Sequence, residues 1–193
     1  AICSTKQTIA VAGTHGKTTT SSMLALALTA AGLAPSFIVG GDLNDIGSGA
    51  VWNDQGELFV VEADESDGTF LKVGAATAIV TNLESDHLDY FGDYDALVQA
   101  FTEFLDAVDG PRVVCIDDPG AAGLATEVGG CLTYGTTEGA DYRVVGINSS
   151  RYASNFEVIR GGKRITKCDL PVPGIHNVLN ATAAFATAVE MGA

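Results

Sequence analysis

The stretch V-A-G-T-H-G-K-T-T-T-S-S-M-L-A-L-A-L-T-A-A-G, Val11 to Gly32, begins as a short apolar strand and ends as an alanine-rich helix, with glycine, histidine, lysine and threonine at the join. The first N–H groups of a helix have no intrahelical partner, and the helix dipole adds positive potential where they point. Such a join suits an anion. Gly13 and Gly16 let the backbone approach that anion closely, Lys17 supplies a point charge, and the Thr18 hydroxyl can complete the shell of a magnesium ion. Thr14, His15 and Thr19 lie in the same turn, so residues 13–19 form one candidate polyphosphate cradle. The usual phosphate-loop pattern places a glycine six residues before the lysine; Val11 stands there, so this loop is the shorter form G-T-H-G-K-T.

The chain around this loop has 193 residues, 47% of them hydrophobic, enough for one domain that buries roughly 70% of its unfolded surface. Its 24 acidic and 10 basic residues give a formal net charge of −14, which argues against nonspecific attraction to nucleic acid or an anionic membrane. Phosphates must therefore be neutralised locally, by Lys17 and a bound cation, and nucleotide handling should depend on metal. No charged-then-apolar leader and no run long enough to cross a bilayer is found, so a cytoplasmic location is expected. Cys3, Cys115, Cys131 and Cys168 are scattered without a C-x-x-C pair and read as reduced thiols.

Apolar runs at Thr8–Ala12, Phe37–Val39, Leu58–Val61, Ala76–Thr81 and Arg112–Ile116 read as buried strands. The clearest helix is Tyr94 to Val108, where Leu97, Phe101, Phe104, Leu105 and Val108 share a face before Gly110-Pro111. This alternation predicts an α/β fold with a phosphate-loop-type, mostly parallel sheet flanked by helices on both faces. From Tyr142 to Leu170 short runs surround a hairpin turn at Arg160 to Lys163, predicting a small antiparallel β annex in the C-terminal third. An alanine-rich helix, Asn177 to Met191, closes the chain.

Three further stretches carry chemistry. In L-F-V-V-E-A-D-E-S-D-G-T-F a strand-like run stops at Glu62, Asp64, Glu65 and Asp67, either a solvated acidic loop or a metal site with Glu62, the first acid after the strand, as ligand. In T-N-L-E-S-D-H-L-D-Y-F, Asn82, Asp86, His87 and Asp89 suit a second magnesium or manganese ion or substrate orientation, unless His87 is a surface hydrogen-bonder. In P-G-I-H-N-V-L-N-A-T-A-A, His176, Asn177 and Asn180 cluster at a helix start, where the asparagines could read an adenine edge or cap the helix. The three histidines of the chain each fall in a motif: His15 in the phosphate loop, His87 and His176 in the last two of these stretches.

Taken in order, G-T-H-G-K-T-T-T, E-A-D-E-S-D, T-N-x-x-x-D-H-L-D and G-x-H-N-V-L-N-A resemble the Mur ligases, the ATP-dependent amide-forming enzymes of peptidoglycan precursor synthesis, over essentially the whole chain. The resemblance implies that residues 1–193 are the central ATPase domain, with N-terminal UDP-binding and C-terminal domains as partners. Within the family, E-A-D-E-S-D is most similar to the members that join L-alanine to UDP-N-acetylmuramate; murein-recycling members tend to have tyrosine where Ser66 stands. The lack of any lysine between Lys72 and Lys163, where sister ligases carry a carbamylated one, points the same way. The resemblance further implies Lys17 on the ATP phosphates, Thr18 and Glu62 on one magnesium, and His87 at a second metal beside the acyl acceptor. It also implies Asn177 and Asn180 near adenine, while Asn82 and Asp86 stand as substrate candidates and His176 as a nucleotide-site candidate from their motifs. Folate-type polyglutamate ligases share the loop, and a non-catalytic nucleotide-binding module would also keep it, but without need of the acid cluster or His87.

Overall fold

The computed structural model describes residues 2–43, 47–86 and 88–193, without the side chains of Ile2 and Asp42. His87 lies outside the described residues, so its expected metal role has no structural counterpart here.

Strand β1 (Gln7–Ala12) runs into α1 (Lys17–Ala30), followed by β2 (Ser36–Leu43), β3 (Ser48–Val51), β4 (Leu58–Glu62), β5 (Thr77–Val80), a short α2 (Leu88–Phe91) and α3 (Tyr94–Asp106). The chain continues through β6 (Arg112–Cys115), α4 (Pro119–Val128), β7 (Leu132–Gly135), the strands β8 (Tyr142–Ser149), β9 (Ser154–Arg160) and β10 (Lys163–Leu170), and α5 (Ile175–Glu190). Among the described residues ten strands form one sheet in the order β10-β9-β8-β7-β6-β5-β1-β4-β2-β3. The pairs from β2 to β8 are parallel; only β2–β3, β8–β9 and β9–β10 are antiparallel. Helices on both faces of a mostly parallel sheet, with antiparallel strands toward the C-terminus, are the architecture the sequence predicts.

Alternation along β1 divides the core. Ile9 and Val11 pack with α1 and α5 residues such as Leu24, Leu28, Val178 and Ala184, whereas Ala10 and Ala12 face Leu97, Phe101 and Phe104 of α3 and Leu124 of α4. Successive strand residues point to opposite faces, so a strand buried on both must be apolar throughout. The five residues from Thr8 to Ala12 are all buried. Helix α3 starts at Asp93, whose carboxylate accepts a hydrogen bond from the Ala96 N–H at 2.9 Å, which satisfies one of the orphan donors.

Several elements differ from the sequence reading. The antiparallel annex is not separate: Tyr134 pairs with Tyr142 in parallel, so β8 to β10 extend the main sheet. It is tied to α5 where the Tyr142 hydroxyl donates to Glu190 at 2.6 Å and the Arg160 guanidinium pairs with the same carboxylate at 2.8 Å. The turn at Gly161-Gly162, with φ of 56° and 76°, joins β9 to β10 as a two-residue hairpin. Edge strand β3, with helix α4 and strand β7, fell where no element was assigned. Ser48-Gly-Ala-Val is too short to show a period, and two glycines inside α4 cost about 1 kcal/mol each of helix propensity and hide it. Helix α3 stops at Asp106, two residues before the periodicity does, because the chain turns at Ala107.

Candidate active site

Sheet order places β1 between β4 and β5, so the loops that leave the C-terminal ends of these three strands, 13–16, 63–68 and 81–86, meet at one edge. Ladder-like bonds carry the pairing past the strands: Ala63 N–H donates to Val11 O at 2.9 Å and Thr81 N–H to Ala12 O at 3.1 Å. Motifs far apart in sequence are thereby brought side by side.

Loop 13–16 is clamped by the 81–84 segment. The Asn82 Oδ1 accepts from the His15 N–H at 2.8 Å and its Nδ2 donates to His15 O at 2.9 Å. The buried Thr81 hydroxyl also donates to His15 O, at 2.6 Å, and Thr14 Oγ1 accepts from Glu84 N–H at 3.0 Å. Asn82, expected near substrate, thus faces the loop backbone with both ends of its carboxamide. Gly13 is required by this clamp and Gly16 by α5 on the other side. At Gly13, φ +125°, an added Cβ would lie 2.2 Å from Thr81 Oγ1 and 2.9 Å from Asn82 O; at Gly16, φ +87°, it would lie 2.7 Å from Asn180 Oδ1. A positive φ and a blocked Cβ direction leave room for glycine alone.

Gly16 is the N-cap of α1. Lys17 curls back so that its Nζ donates to Gly13 O at 2.7 Å, with Thr14 O at 3.4 Å, and pairs with Glu65 at 2.9 and 3.1 Å. Thr18, on the exposed side of the first turn, donates to Glu62 Oε2 at 3.0 Å, and the Ser21 hydroxyl, whose shorter bond goes to Lys17 O at 2.8 Å, lies 3.3 Å from Glu62 Oε1. The Gly40 N–H also donates to Glu62 Oε1. Glu62 follows directly from the register, since its Cα is paired with that of Val11 at the root of the loop. His15 is exposed with its Nε2 3.9 Å from Glu84, and Thr19 is half-buried on α1.

A hydroxyl and a carboxylate side by side are hard oxygen donors of the kind magnesium takes together with phosphate oxygens and water. Beside them β2 leaves a cradle: a Cβ at Gly40 would come within 3.1 Å of Thr18 Oγ1 and 3.2 Å of Glu62 Oε1. The donor set and the space fit a small divalent cation. No group of three or more histidine, cysteine, aspartate or glutamate side chains converges among the described residues, so phosphate and water would have to complete the shell.

Of the four acids at and after the end of β4, Glu62 and Glu65 point to the loop and its helix, whereas Asp64 and Asp67 shape turns. Asp64 accepts from Ser66 N–H at 2.9 Å. Asp67 accepts from the Thr69 hydroxyl at 2.6 Å and N–H at 2.9 Å, bonds that hold its carboxyl below the ordinary 3.8. Asp86 is exposed, with its N–H on Glu84 O at 2.8 Å.

From the other side α5 contributes Asn180, buried against Gly16. Asn177 does not cap its helix by accepting an N–H: Gly174 is the N-cap, without a side-chain bond, and the Asn177 Nδ2 donates to Pro173 O at 2.7 Å. His176 is exposed beside Gly174.

Several positioning residues were not read from the sequence. Gly40 meets the site only through strand order, which no local pattern reveals, and the pairing of Glu65, already named in the acidic cluster, with Lys17 comes by the same route. Phe70, 1% exposed, anchors the acidic loop by packing against Phe101 and Phe104 at ring-centroid distances of 5.1 and 5.2 Å. Asp118 at the end of β6 accepts from Leu83 N–H at 2.9 Å and from Ala121 N–H at 2.8 Å, capping α4 while holding the 81–86 segment. Its signal was present in Asp118-Pro119, an N-cap with proline at the first helical position.

The Mur ligase middle domain family model matches residues 11–188. The UDP-N-acetylmuramate--L-alanine ligase of Kineococcus radiotolerans is 49% identical over 191 residues, covering 96% of this chain and 40% of that protein. The enzyme of the same name from Syntrophotalea carbinolica is 44% identical over 189 residues, covering 96% and 41%. Among solved structures, UDP-N-acetylmuramate-alanine ligase MurC from Thermotoga maritima aligns with a TM-score of 0.83 at 32% identity, over 97% of this chain and 42% of that one. The UDP-N-acetylmuramate:L-alanyl-gamma-D-glutamyl-meso-diaminopimelate ligase from Neisseria meningitides aligns at 0.87, also with 32% identity, over 100% and 64%. The chain spans about two-fifths of the length of these two curated relatives. A glycine loop clamped by its neighbouring strands, set in a chain that the family model matches almost from end to end, leads to one conclusion: the chain belongs to the Mur ligase family.

Proposed function

We propose that this chain is the central, nucleotide-handling domain of a longer ligase that joins L-alanine to UDP-N-acetylmuramate at the expense of ATP, giving ADP and phosphate, with UDP-binding and amino-acid-side domains to either side. The observation that carries the reading is the Thr18–Glu62 pair at the mouth of the clamped loop, 3.0 Å apart on a helix N-terminus. The curated relatives at 44 and 49% identity, both named for L-alanine addition, favour that substrate pair over murein recycling, folate polyglutamylation or a non-catalytic module.

In this reading the loop N–H groups and Lys17 take the triphosphate, while Thr18 and Glu62 hold magnesium, or manganese in its place. His87, outside the described residues, would serve a second cation used with the acyl substrate, and His176, Asn177 and Asn180 would serve the adenine side. Bound magnesium would supply the positive charge that lets a muramyl carboxylate approach the γ-phosphate. The carboxylate oxygen attacks the γ-phosphorus, ADP leaves, and the resulting acyl phosphate is attacked by the alanine amine through a tetrahedral intermediate that expels phosphate. No residue need become covalently modified; the domain works by positioning and electrostatics. Asn82 and Thr81 serve by holding the loop N–H groups in place, and the reaction suits a cytoplasmic enzyme.

The test is release of ADP by the full-length ligase supplied with ATP, magnesium, UDP-N-acetylmuramate and each candidate amino acid in turn. Turnover with L-alanine is expected; turnover with folyl substrates, or nucleotide binding without turnover on any substrate, would overturn the reading.

A further inference from the structure

The Lys17 ammonium has three N–H donors, and all of them are taken. Four acceptors face them: Gly13 O at 2.7 Å, the two Glu65 oxygens at 2.9 and 3.1 Å, and, at 3.4 Å, Thr14 O. The pair is largely out of water: the Glu65 side chain is 2% exposed and that of Lys17 15%. Charges so shielded are weakly screened by salt. A lysine held in this way cannot give an N–H to a phosphate oxygen until one of its present acceptors yields. The buried carboxylate also adds a negative charge beside the polyanion that the loop is built to receive. In a chain of net charge −14 with Lys17 as the loop's only basic side chain besides His15, that carboxylate sets how much positive charge the loop can offer.

We propose that Glu65 is a positioning residue that holds Lys17 in reserve and makes nucleotide capture depend on the divalent cation. The inference rests on the reading of residues 13–18 as a phosphate loop. With Lys17 neutralised by Glu65, a metal-free triphosphate meets two carboxylates, Glu62 and Glu65, and too little countercharge. A cation on the Thr18–Glu62 side lowers the charge of the phosphates, and exchange of one Glu65 oxygen for a phosphate oxygen on Lys17 then becomes favourable. Glu65 keeps the lysine at the rear of the loop and discriminates the metal-complexed nucleotide from the bare one.

Calorimetric titration of the full-length ligase with ATP, in excess magnesium and in excess EDTA, gives the ratio of the two dissociation constants. In Glu65→Gln, which keeps the shape and removes the charge, that ratio is expected to fall about tenfold relative to wild type, mainly through tighter metal-free binding. Glu65→Asp, which keeps the charge but withdraws it by one methylene, should move the ratio in the same direction by less. Asp67→Asn removes an exposed charge from the same loop and should leave the ratio near that of wild type. An unchanged ratio in folded Glu65 variants would overturn the proposal, as would an equal fall in Asp67→Asn, which would mean charge at a distance. Loss of folding in both Glu65 variants would make the residue a support of the fold and overturn it too. Absence of ATP binding by the wild type in both conditions would instead strike the phosphate-loop reading itself and take this proposal with it.

Discussion

Replacing Asn82 by alanine separates the loop-holding role that the geometry gives this residue from the substrate contact that its motif suggests. Two hydrogen bonds disappear, one from His15 N–H to Oδ1 and one from Nδ2 to His15 O. The loss is unequal. His15 O keeps the Thr81 hydroxyl at 2.6 Å, whereas the His15 N–H loses the partner that faces it and must turn to water on an exposed part of the loop. One replaceable bond and one backed by a neighbour together amount to about 1 to 2 kcal/mol. If that energy serves to order the loop for phosphate, ATP affinity should fall by about 5- to 30-fold. The midpoint of thermal unfolding should fall by about 2 to 8 °C at most for a chain of this size. The assay is calorimetric titration with magnesium–ATP, alongside the KM for UDP-N-acetylmuramate in the full-length ligase. Unchanged ATP affinity together with a raised KM for the muramyl substrate would refute the loop-holding role and return Asn82 to substrate contact.

Glu62→Gln keeps size but removes the charge beside Thr18, so turnover of the full-length ligase should collapse and ATP binding should need more magnesium; near-normal turnover would make the carboxylate dispensable. Gly40→Ala puts a methyl group 3.1 Å from Thr18 Oγ1 and 3.2 Å from Glu62 Oε1. Overpacking of about 1 to 3 kcal/mol should appear as a higher magnesium requirement rather than as unfolding, and a magnesium titration of activity checks it. Phe70→Ala removes the anchor of the acidic loop and should lower stability by about 3 to 5 kcal/mol, measured by urea unfolding, with nucleotide affinity falling as the loop loosens. Asp117 is partly buried, which by itself would raise its pKa, but four hydrogen bonds from Thr136 and Thr137 outweigh that and hold it below the ordinary 3.8. A carboxyl lowered by folding contributes stability above its unfolded pKa and loses it as pH falls through the folded value. Asp117→Asn should therefore be destabilised at neutral pH and lose less stability than wild type on acidification below pH about 3.8, as followed by thermal melts across that range.

What could be read from the sequence follows from how far the physics reaches along the chain. Gly13, Gly16, Lys17 and Thr18 were legible because one turn of backbone imposes their spacing. Buried strands such as Thr8–Ala12 were legible because both faces are covered and the run is apolar throughout. Glu62 was legible as a strand end, but its partners Ser21 and Gly40 were not, because adjacency of β1, β4 and β2 is a property of strand order. The same holds for Asn82: its motif marks it as chemically important, while only the neighbouring positions of β1 and β5 show that it grips His15. Asn180 sits under Gly16 for the same reason, brought there by α5 packing on α1 across a gap of 164 positions. Helix α4 stayed hidden because its two glycines erase the local signal, although Asp118-Pro119 announced its start.

The hairpin at Gly161-Gly162 closes the strand pair at one border of the sheet, and in the strand order β10 stands six places from β1. At about 4.8 Å per strand, that puts roughly 29 Å of hydrogen-bonded sheet between the hairpin's outer strand and the strand that carries the loop. Both glycines are exposed, and an added Cβ would touch nothing within 4 Å at either one. The tip is thus a natural port for a reporter: a fluorophore, an epitope or a short inserted peptide can be carried there while the distant end of the sheet goes about its work.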